Sequence, residues 1–294
     1  MVLTAEQALK QLLSRVEPHN IGVDVANKHK YLRAQVKNGF QIDDDFLIGS
    51  YARATQIRPR TDVDVFFVLN PMYIQQGWVT PRRVYHELLK KLRVTYSKSK
   101  LRPDGQAITI SQGLFNLDVV PAYAKPDGDY LIPLRASDSK KDWVDCNPKE
   151  YAEYLTTLNA QLGGRLVPTI KLFKVWRRHH QLDHISSFHI EKLVSQSFVQ
   201  SSPEEIAIAT KSFSHMFSHV LQRMTRLIYI NLKDEVGNQV APLSSPQQRM
   251  TGIVIANSLH QVMRAMNIEY STSDFGLHVC WRKVLGKPYT GSAA

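Results

Sequence analysis

The stretch that decides the fold is GSYARATQIRPRTDVDVFFVL, residues 49–69. A Gly-Ser pair that ends a short apolar run predicts a strand entering a tight turn. The closing run DVDVFFVL alternates and is rich in β-branched and aromatic residues, so it predicts a second strand. The loop between these strands carries Arg53, Arg58 and Arg60, and we expect these arginines near an anionic site.

Two aspartates open the second of these strands. Side chains alternate between the faces of a strand, so Asp62 and Asp64 are expected on one face. Adjacent carboxylates repel each other unless a positive charge lies between them, and Mg²⁺ prefers such hard oxygen ligands. Asp118 lies in another predicted strand, NLDVVPAY. When an Asp-x-Asp motif stands alone, its first aspartate is more often a turn residue and its second more often faces solvent. With Asp118 included, that plain interpretation and a metal site have about equal support.

The rest of the chain predicts a mixed region followed by a helical one. Helical periodicity covers 4–16, 23–36 and 80–96, and two strands around 107–123 are expected to form a hairpin. From about Asn147 onward every periodic segment is helical, including one continuous stretch over 202–229. We therefore predict an α+β fold with N-terminal bridging helices, a mixed-sheet lobe and a helical lobe, at residues 1–36, 37–146 and 147–294.

Composition narrows the class of protein. The chain has 294 residues, is 43% hydrophobic and carries a formal net charge of +11, which favours polyanionic partners such as nucleotides or nucleic acid over a merely basic soluble protein. No apolar run reaches about 18 residues and no signal-peptide pattern is present, so we expect a cytoplasmic protein with no membrane partner. Cys146 and Cys280 form no CxxC and are expected to be buried. His215 and His219 have no third ligand nearby, so we expect packing or exposure rather than a metal site.

The helical region contains a row of cations. Lys171, Lys174 and Arg178 share one face of a predicted helix, which is usually a solvated face. A new helix opens at HISSF, where Ser186 or Ser187 is expected to cap the free backbone N–H groups.

These motifs resemble a known family. GSYARATQIRPRTDVDVFFVL followed by NLDVVPAY resembles the Gly-Ser, Asp-x-Asp and Asp signature of polymerase-β-like nucleotidyltransferases. Its wording closely resembles the bacterial cGAS/DncV-like nucleotidyltransferases, the CD-NTases. The segments IPLRASDSKKDWVDCNPKEY, PTIKLFKVWRRHHQLDHISSFHIEKLV and VCWRKVLG are also similar to that family, and the resemblance covers most of residues 45–200.

The resemblance implies a fold and a reaction. The fold is a polymerase-β-like palm with a mixed sheet, joined to a C-terminal helical lobe and bridged by the N-terminal helices. Two Mg²⁺ ions, with Mn²⁺ as a possible substitute, would be held by Asp62, Asp64 and Asp118. A ribose hydroxyl, activated with the help of Asp118, would attack the α-phosphorus of a nucleoside triphosphate and release pyrophosphate, and a second transfer would close a ring.

The resemblance also implies binding residues and partners. Counterparts of Gly49, Ser50, Lys174 and Ser187 contact the triphosphate. The expected substrates are ATP and other nucleoside triphosphates. The expected product is a cyclic di- or trinucleotide second messenger that activates a downstream effector in anti-phage defence, under possible control by a regulatory protein or nucleic acid.

Two other functions remain open at this stage. One is a template-independent nucleotidyltransferase that acts on an RNA 3′ end or a small-molecule acceptor. The other is a non-enzymatic binder on a decayed fold, against which the three carboxylates and the Gly-Ser pair argue. The sequence specifies neither the bases joined, nor the ring size, nor the linkage.

Overall fold

A computed structural model describes most of the chain. The described residues are 2–18, 22–59, 62–77, 79–111, 113, 115–134, 142–240, 242–269 and 274–291. Arg60 and residues 135–141 of the segment IPLRASDSKKDWVDCNPKEY lie outside them.

The chain forms two compact units. Unit 1 comprises Met1–Glu17, Tyr154–Lys233 and Gln239–Ala294, and unit 2 comprises Pro18–Glu153 and Asp234–Asn238. The first helix, α1 (Ala5–Val16), belongs to unit 1, and the second, α2 (Gly22–Lys37), belongs to unit 2. The predicted three-part division at residues 36/37 and 146/147 remains a prediction.

Unit 2 is built on a sheet. After α2 its elements are β1 (Ile42–Ile48), α3 (Gly49–Ala52), β2 (Asp62–Leu69), α4 (Met72–Gln75), α5 (Pro81–Thr95), β3 (Leu101–Asp104), β4 (Ala107–Ser111), β5 (Asn116–Ala124), β6 (Tyr130–Pro133) and β7 (Trp143–Cys146). Among the described residues these seven strands form one sheet with the order β1-β2-β5-β4-β3, and β6 pairs with β5 and β7. Strands β2 and β5 are parallel, and the other pairs are antiparallel.

Alternation along β2 positions the acids. Val63, Val65 and Phe67 are fully buried in a core shared with α2 and α5. Phe66 and Val68 point to the opposite face, where they pack in a second, smaller cluster. Asp62 and Asp64 have the same parity as Phe66, so they lie on that second face, at its polar end.

Unit 1 is helical. Besides α1, its helices are α6 (Pro148–Gln161), which begins in unit 2, α7 (Leu166–His179), α8 (Ser187–Gln196), α9 (Pro203–Ala209), α10 (Phe213–Leu227), α11 (Ser245–Glu269) and α12 (Asp274–Leu285). Its core contains a stacked pair of rings, Phe173 and Phe217, with centroids 4.1 Å apart, and the fully buried Trp281 packs edge-on against Phe217.

Most predicted elements are present, with differences at the ends and in short segments. The predicted continuous helix over 202–229 is wrong: the chain forms α9 and α10, because Ser212 caps a new helix by accepting a hydrogen bond from the backbone N–H of His215. The sequence analysis did not predict β3, β6, β7, α3, α4 and α12. Within the described residues, no helix combines the length and apolar character needed to span a bilayer.

Candidate active site

The register between β2 and β5 brings the predicted acids together. Asp64 pairs with Asp118 across the two parallel strands, and Asp62 pairs with Asn116. Residues in register on parallel neighbours project from the same face, so all four polar side chains share one face. The three carboxylates are half-buried, and each is flanked in its strand by a buried apolar residue.

Two neutral side chains donate hydrogen bonds to two of the acids, Asp62 and Asp118. The Asn116 side-chain amide donates to Asp62 Oδ1 over 3.0 Å, and the Thr109 hydroxyl donates to Asp118 Oδ1 over 2.6 Å. Thr109 lies opposite Asp118 on the antiparallel neighbour β4 and is 3% exposed. Neither Asn116 nor Thr109 was predicted from the sequence. The spacing of Asn116, two residues before Asp118 in one strand, was a usable signal, whereas Thr109 depends on a register that the sequence does not specify.

The carboxylates repel one another in a partly dry environment. Burial, reinforced by the charge of Asp118, raises the pKa of Asp64 from 3.8 to about 7, while the charge of Arg53 opposes this rise. Burial also raises the pKa of Asp118, and the hydrogen bond from Thr109 opposes that rise. Without a nearby cation, these carboxylates therefore favour a bound proton.

Gly49 makes room for this cluster. It follows Ile48, which pairs with Asp64 on the antiparallel neighbour β1, and it has a φ of +70°. A methyl group added at Gly49 would overlap the carboxylate of Asp64. Both the backbone conformation and the close approach thus require glycine. Ser50 comes next, in the short helix α3, which contacts the strand β2 that carries Asp62 and Asp64.

One loop arginine accompanies the acids. The charge of Arg53 lowers the pKa of Asp64, and its guanidinium lies 5.0 Å from the ring centroid of Tyr151. Arg53 therefore lies near the anionic site, as expected from the sequence. The proximity of Arg58 to the site remains a prediction.

The donor set fits a divalent cation completed by substrate. Within the described part of the chain, no group of three or more His, Cys, Asp or Glu side chains is placed to hold a metal ion. Divalent cations such as Mg²⁺ keep few protein ligands and complete their shell with water and phosphate oxygens. The three half-buried carboxylates are oxygen donors of the kind that such a cation prefers, so their chemistry fits a cation that substrate phosphates help to bind.

The predicted residues of the helical region belong to unit 1. The expectation of a solvated cationic face is wrong for Lys171 and Lys174, which are 7% and 4% exposed and form ion pairs with Glu17 and Glu191. An ammonium that is buried in this way needs a carboxylate partner.

Of the two serines expected at the start of this helix, one caps it and the other does not. Ser186 is the N-cap of α8 and accepts a hydrogen bond from the backbone N–H of His189 over 3.0 Å. Ser187 is the first residue of the helix and is exposed, so its hydroxyl is not used for capping.

The other expectations of the sequence analysis concern structural residues. His215 contacts the Ser212 hydroxyl over 2.8 Å, and His219 contacts the Ser201 hydroxyl over 3.1 Å. Cys280 is buried as expected, whereas Cys146 is only half-buried. Both cysteines are free thiols.

Comparisons with known proteins identify the family. The family model described as Second Messenger Oligonucleotide or Dinucleotide Synthetase domain (SMODS) matches residues 3–159, more than half of the chain. The chain belongs to this family. The resemblance to CD-NTases and the nucleotidyltransferase class are therefore confirmed.

One sequence relative and two solved structures are consistent with this family assignment. The Cyclic AMP-AMP-AMP synthase of Acinetobacter sp. (strain ATCC 27244 / 9458) is 26% identical over 310 residues, and the alignment covers 100% of this chain and 88% of that protein. Two solved structures share the fold. E. coli MS115-1 CdnC, in complex with HORMA-deltaN, has a TM-score of 0.77 at 14% identity, covering 97% of this chain and 98% of that one. The Vibrio cholerae DncV cyclic AMP-GMP synthase, described as a prokaryotic cGAS homolog, has a TM-score of 0.64 at 13% identity, covering 84% and 70%. The predicted α+β fold of the polymerase-β type is confirmed.

Proposed function

We propose that this SMODS-family enzyme is a Mg²⁺-dependent nucleotidyltransferase that joins nucleoside triphosphates into a cyclic di- or trinucleotide and releases pyrophosphate. The observation that carries the proposal is the register of Asp64 with Asp118, with Asp62 on the same face and the pKa of Asp64 raised to about 7. The name of the Acinetobacter relative supports ATP as a substrate.

The three acids and two residues beside them have assigned roles in this reaction. Asp62, Asp64 and Asp118 would hold two Mg²⁺ ions, or Mn²⁺ in their place, and the bound ions supply Lewis-acid stabilisation of the attacking and leaving oxygens. Thr109 fixes Oδ1 of Asp118, so we assign Oδ2 as the atom that accepts the proton of the attacking ribose hydroxyl. Gly49 admits the Asp64 carboxylate close to the backbone.

Three further residues are assigned to the triphosphate. In unit 2, Ser50 follows Gly49, and its hydroxyl would donate to a phosphate oxygen. In unit 1, we assign Lys174 and the exposed hydroxyl of Ser187 to the binding of nucleotide phosphates. Ser187 stands at the first turn of α8, where unpaired backbone N–H groups favour anions.

The product would act as a second messenger. We propose that it activates a downstream effector in the cytoplasm as part of anti-phage defence. The complex of CdnC with HORMA-deltaN supports control by a regulatory protein. Activation by nucleic acid is the alternative that the net charge of +11 supports.

The test is product identification. The purified chain is incubated with Mg²⁺ and all four labelled nucleoside triphosphates, with and without added RNA, and the products are analysed by mass spectrometry after phosphatase treatment. We expect a phosphatase-resistant cyclic nucleotide in both conditions. Incorporation that occurs only into the added RNA would refute the proposal in favour of an RNA 3′-end transferase.

A pair of variants ties the activity to the acids. Asp62→Asn combined with Asp64→Asn is expected to lower turnover at least about 1,000-fold, since both carboxylates are lost from the proposed metal site. Asp43→Asn is the matched control: Asp43 lies on β1 of the same sheet, is exposed, and accepts a hydrogen bond from Asn70 that asparagine can still accept. Equal turnover in the double variant and the control would refute the assigned site.

A further inference from the structure

A buried ion pair connects two helices of unit 1. The Lys174 ammonium on α7 donates to Glu191 Oε1 on α8 over 2.7 Å. Their side chains are only 5% and 1% exposed. Glu191 is among the most buried carboxylates of the described residues, and its charge is tolerated there because Lys174 compensates it.

The position of Glu191 on α8 relates this pair to the exposed serine. Ser187 and Glu191 are four residues apart in one helix, so they lie on the same side of α8, one turn from each other. The Lys174 ammonium thus binds α8 at Glu191, which lies four residues after Ser187 in the same helix. The two residues assigned to the triphosphate in unit 1 are thus linked through a third residue.

The burial of Glu191 determines how Lys174 would meet a phosphate. If Lys174 left the pair, a carboxylate that is 1% exposed would lose its ammonium partner, and one new charge-assisted hydrogen bond to a phosphate would offset that loss only in part. An ammonium has three N–H donors, and the bond to Glu191 uses one of them. Lys174 would therefore serve the triphosphate from a fixed place rather than by exchanging partners.

We propose that Glu191 is a positioning residue for nucleotide binding: it fixes the Lys174 ammonium at the distance from Ser187 that the triphosphate requires. This inference rests on the proposed function. Glu191 itself does not touch the nucleotide, and its effect on binding passes entirely through Lys174.

A second pair on the same helix provides a matched control. Lys171, three residues before Lys174, donates to Glu17 Oε1 over 2.7 Å. Here the carboxylate is 53% exposed, so solvent supports it when the pair breaks. Glu17→Gln removes the same chemical group from a Lys-Glu pair of α7 without altering the group beside Ser187.

The test measures affinity for α,β-methylene-ATP, whose α–β bridge blocks release of pyrophosphate, in the presence of Mg²⁺ and with the full chain. Glu191→Gln is expected to raise Kd about 10-fold, and Glu17→Gln less than about 2-fold. In a Lys174→Met background, Glu191→Gln is expected to add less than about 2-fold, because its effect requires Lys174. With hydrolysable ATP, Glu191→Gln should raise KM more than it lowers kcat.

The outcomes separate this inference from the function on which it rests. A wild-type chain that neither binds the analogue nor turns over ATP overturns both proposals. A wild-type chain that does bind, with Glu191→Gln equally tight, overturns only the positioning role, as does a Glu191→Gln effect that persists in the Lys174→Met background. If Glu191→Gln does not fold, Glu191→Asp replaces it. That variant keeps the charge but draws the carboxylate back, and we expect a Kd about 3-fold higher, whereas an unchanged Kd overturns the role.

Discussion

The two units treat buried charge in opposite ways. In unit 2, Asp64 and Asp118 are adjacent like charges, and burial raises the pKa of both. In unit 1, Lys174 and Glu191 form an opposite-charge pair whose members compensate each other. A compensated pair is stable by itself and can serve as a rigid anchor. A cluster of like charges lowers stability until a cation binds, so its presence is explained by chemistry rather than by folding.

Among variants outside the three acids, the largest effect is expected where the sheet makes room for the acid cluster. Gly49→Ala introduces a side chain at a φ of +70° and places a methyl group on the Asp64 carboxylate. We expect the free energy of unfolding to fall by at least about 2 kcal/mol. Turnover should fall about 100-fold or more, because the displaced carboxylate misaligns the reacting groups. Urea titration and steady-state kinetics measure the two effects.

Gly105→Ala separates backbone strain from the clash. Gly105 also has a positive φ, +57°, but an added methyl group there has no neighbour within 4 Å. This control should lose only about 1 kcal/mol of stability and retain its turnover. Equal losses of turnover in both variants would show that the close approach to Asp64 has no role.

The second effect is the pH dependence of stability that Asp64 of unit 2 contributes. The folded-state pKa of Asp64 is raised to about 7 from 3.8, so folding is favoured by the protonated form. This contribution is fully present below about pH 4 and is lost as pH rises through 7. The loss for the metal-free chain should be on the order of 2 kcal/mol, and at most about 4 kcal/mol.

Urea titrations of the wild-type chain and of Asp64→Asn at pH 5 and pH 8 would isolate this loss as the difference between the two proteins. The comparison is needed because burial lowers the pKa of His180 and His189 in unit 1 to about 4, and their contribution to stability rises with pH. Added Mg²⁺ should restore stability at pH 8 more than at pH 5, because the cation competes with the proton for the carboxylates. A wild-type difference that Asp64→Asn leaves intact would show that another group is responsible.

The smallest effect is expected from a neutral partner of the acids. Thr109→Val keeps the shape of the side chain but removes the hydrogen bond to Asp118 Oδ1. We expect kcat to fall about 10-fold and stability to change by about 1 kcal/mol. The pH profile of kcat should shift upward, because the pKa of Asp118 rises when the donor is lost. An unshifted profile would mean that Thr109 does not act on the proton-accepting group.

The sequence alone predicted those strands of unit 2 in which residues on the two faces alternate in a clear period of two. The period of DVDVFFVL placed Asp62 and Asp64 on one face, and the structure agrees. It did not specify that β2 and β5 are parallel neighbours with Asp64 opposite Asp118, because that pairing depends on how the intervening α5, β3 and β4 pack. The short strands β3, β6 and β7 have four residues each, too few to show a period.

The sequence was less informative about unit 1. The spacing of Lys171 and Lys174 suggested a solvated face, but tertiary pairing with Glu17 and Glu191 overrides that rule. Glu17 is 154 residues away from Lys171 along the chain, so no local sequence pattern predicts this ion pair. The break at Ser212 was readable as an N-cap but lay within a continuous apolar period.

The central claim is that the acid cluster of unit 2 serves catalysis at the expense of stability. Its most direct test is a paired measurement on one variant, Asp64→Asn, of turnover of nucleoside triphosphates and of the metal-free unfolding free energy at pH 8. We predict that turnover falls at least about 1,000-fold while the unfolding free energy rises by about 1 to 3 kcal/mol, because a repelled, half-buried charge is removed. Retained turnover, or a loss of activity accompanied by a loss of stability, would contradict the account.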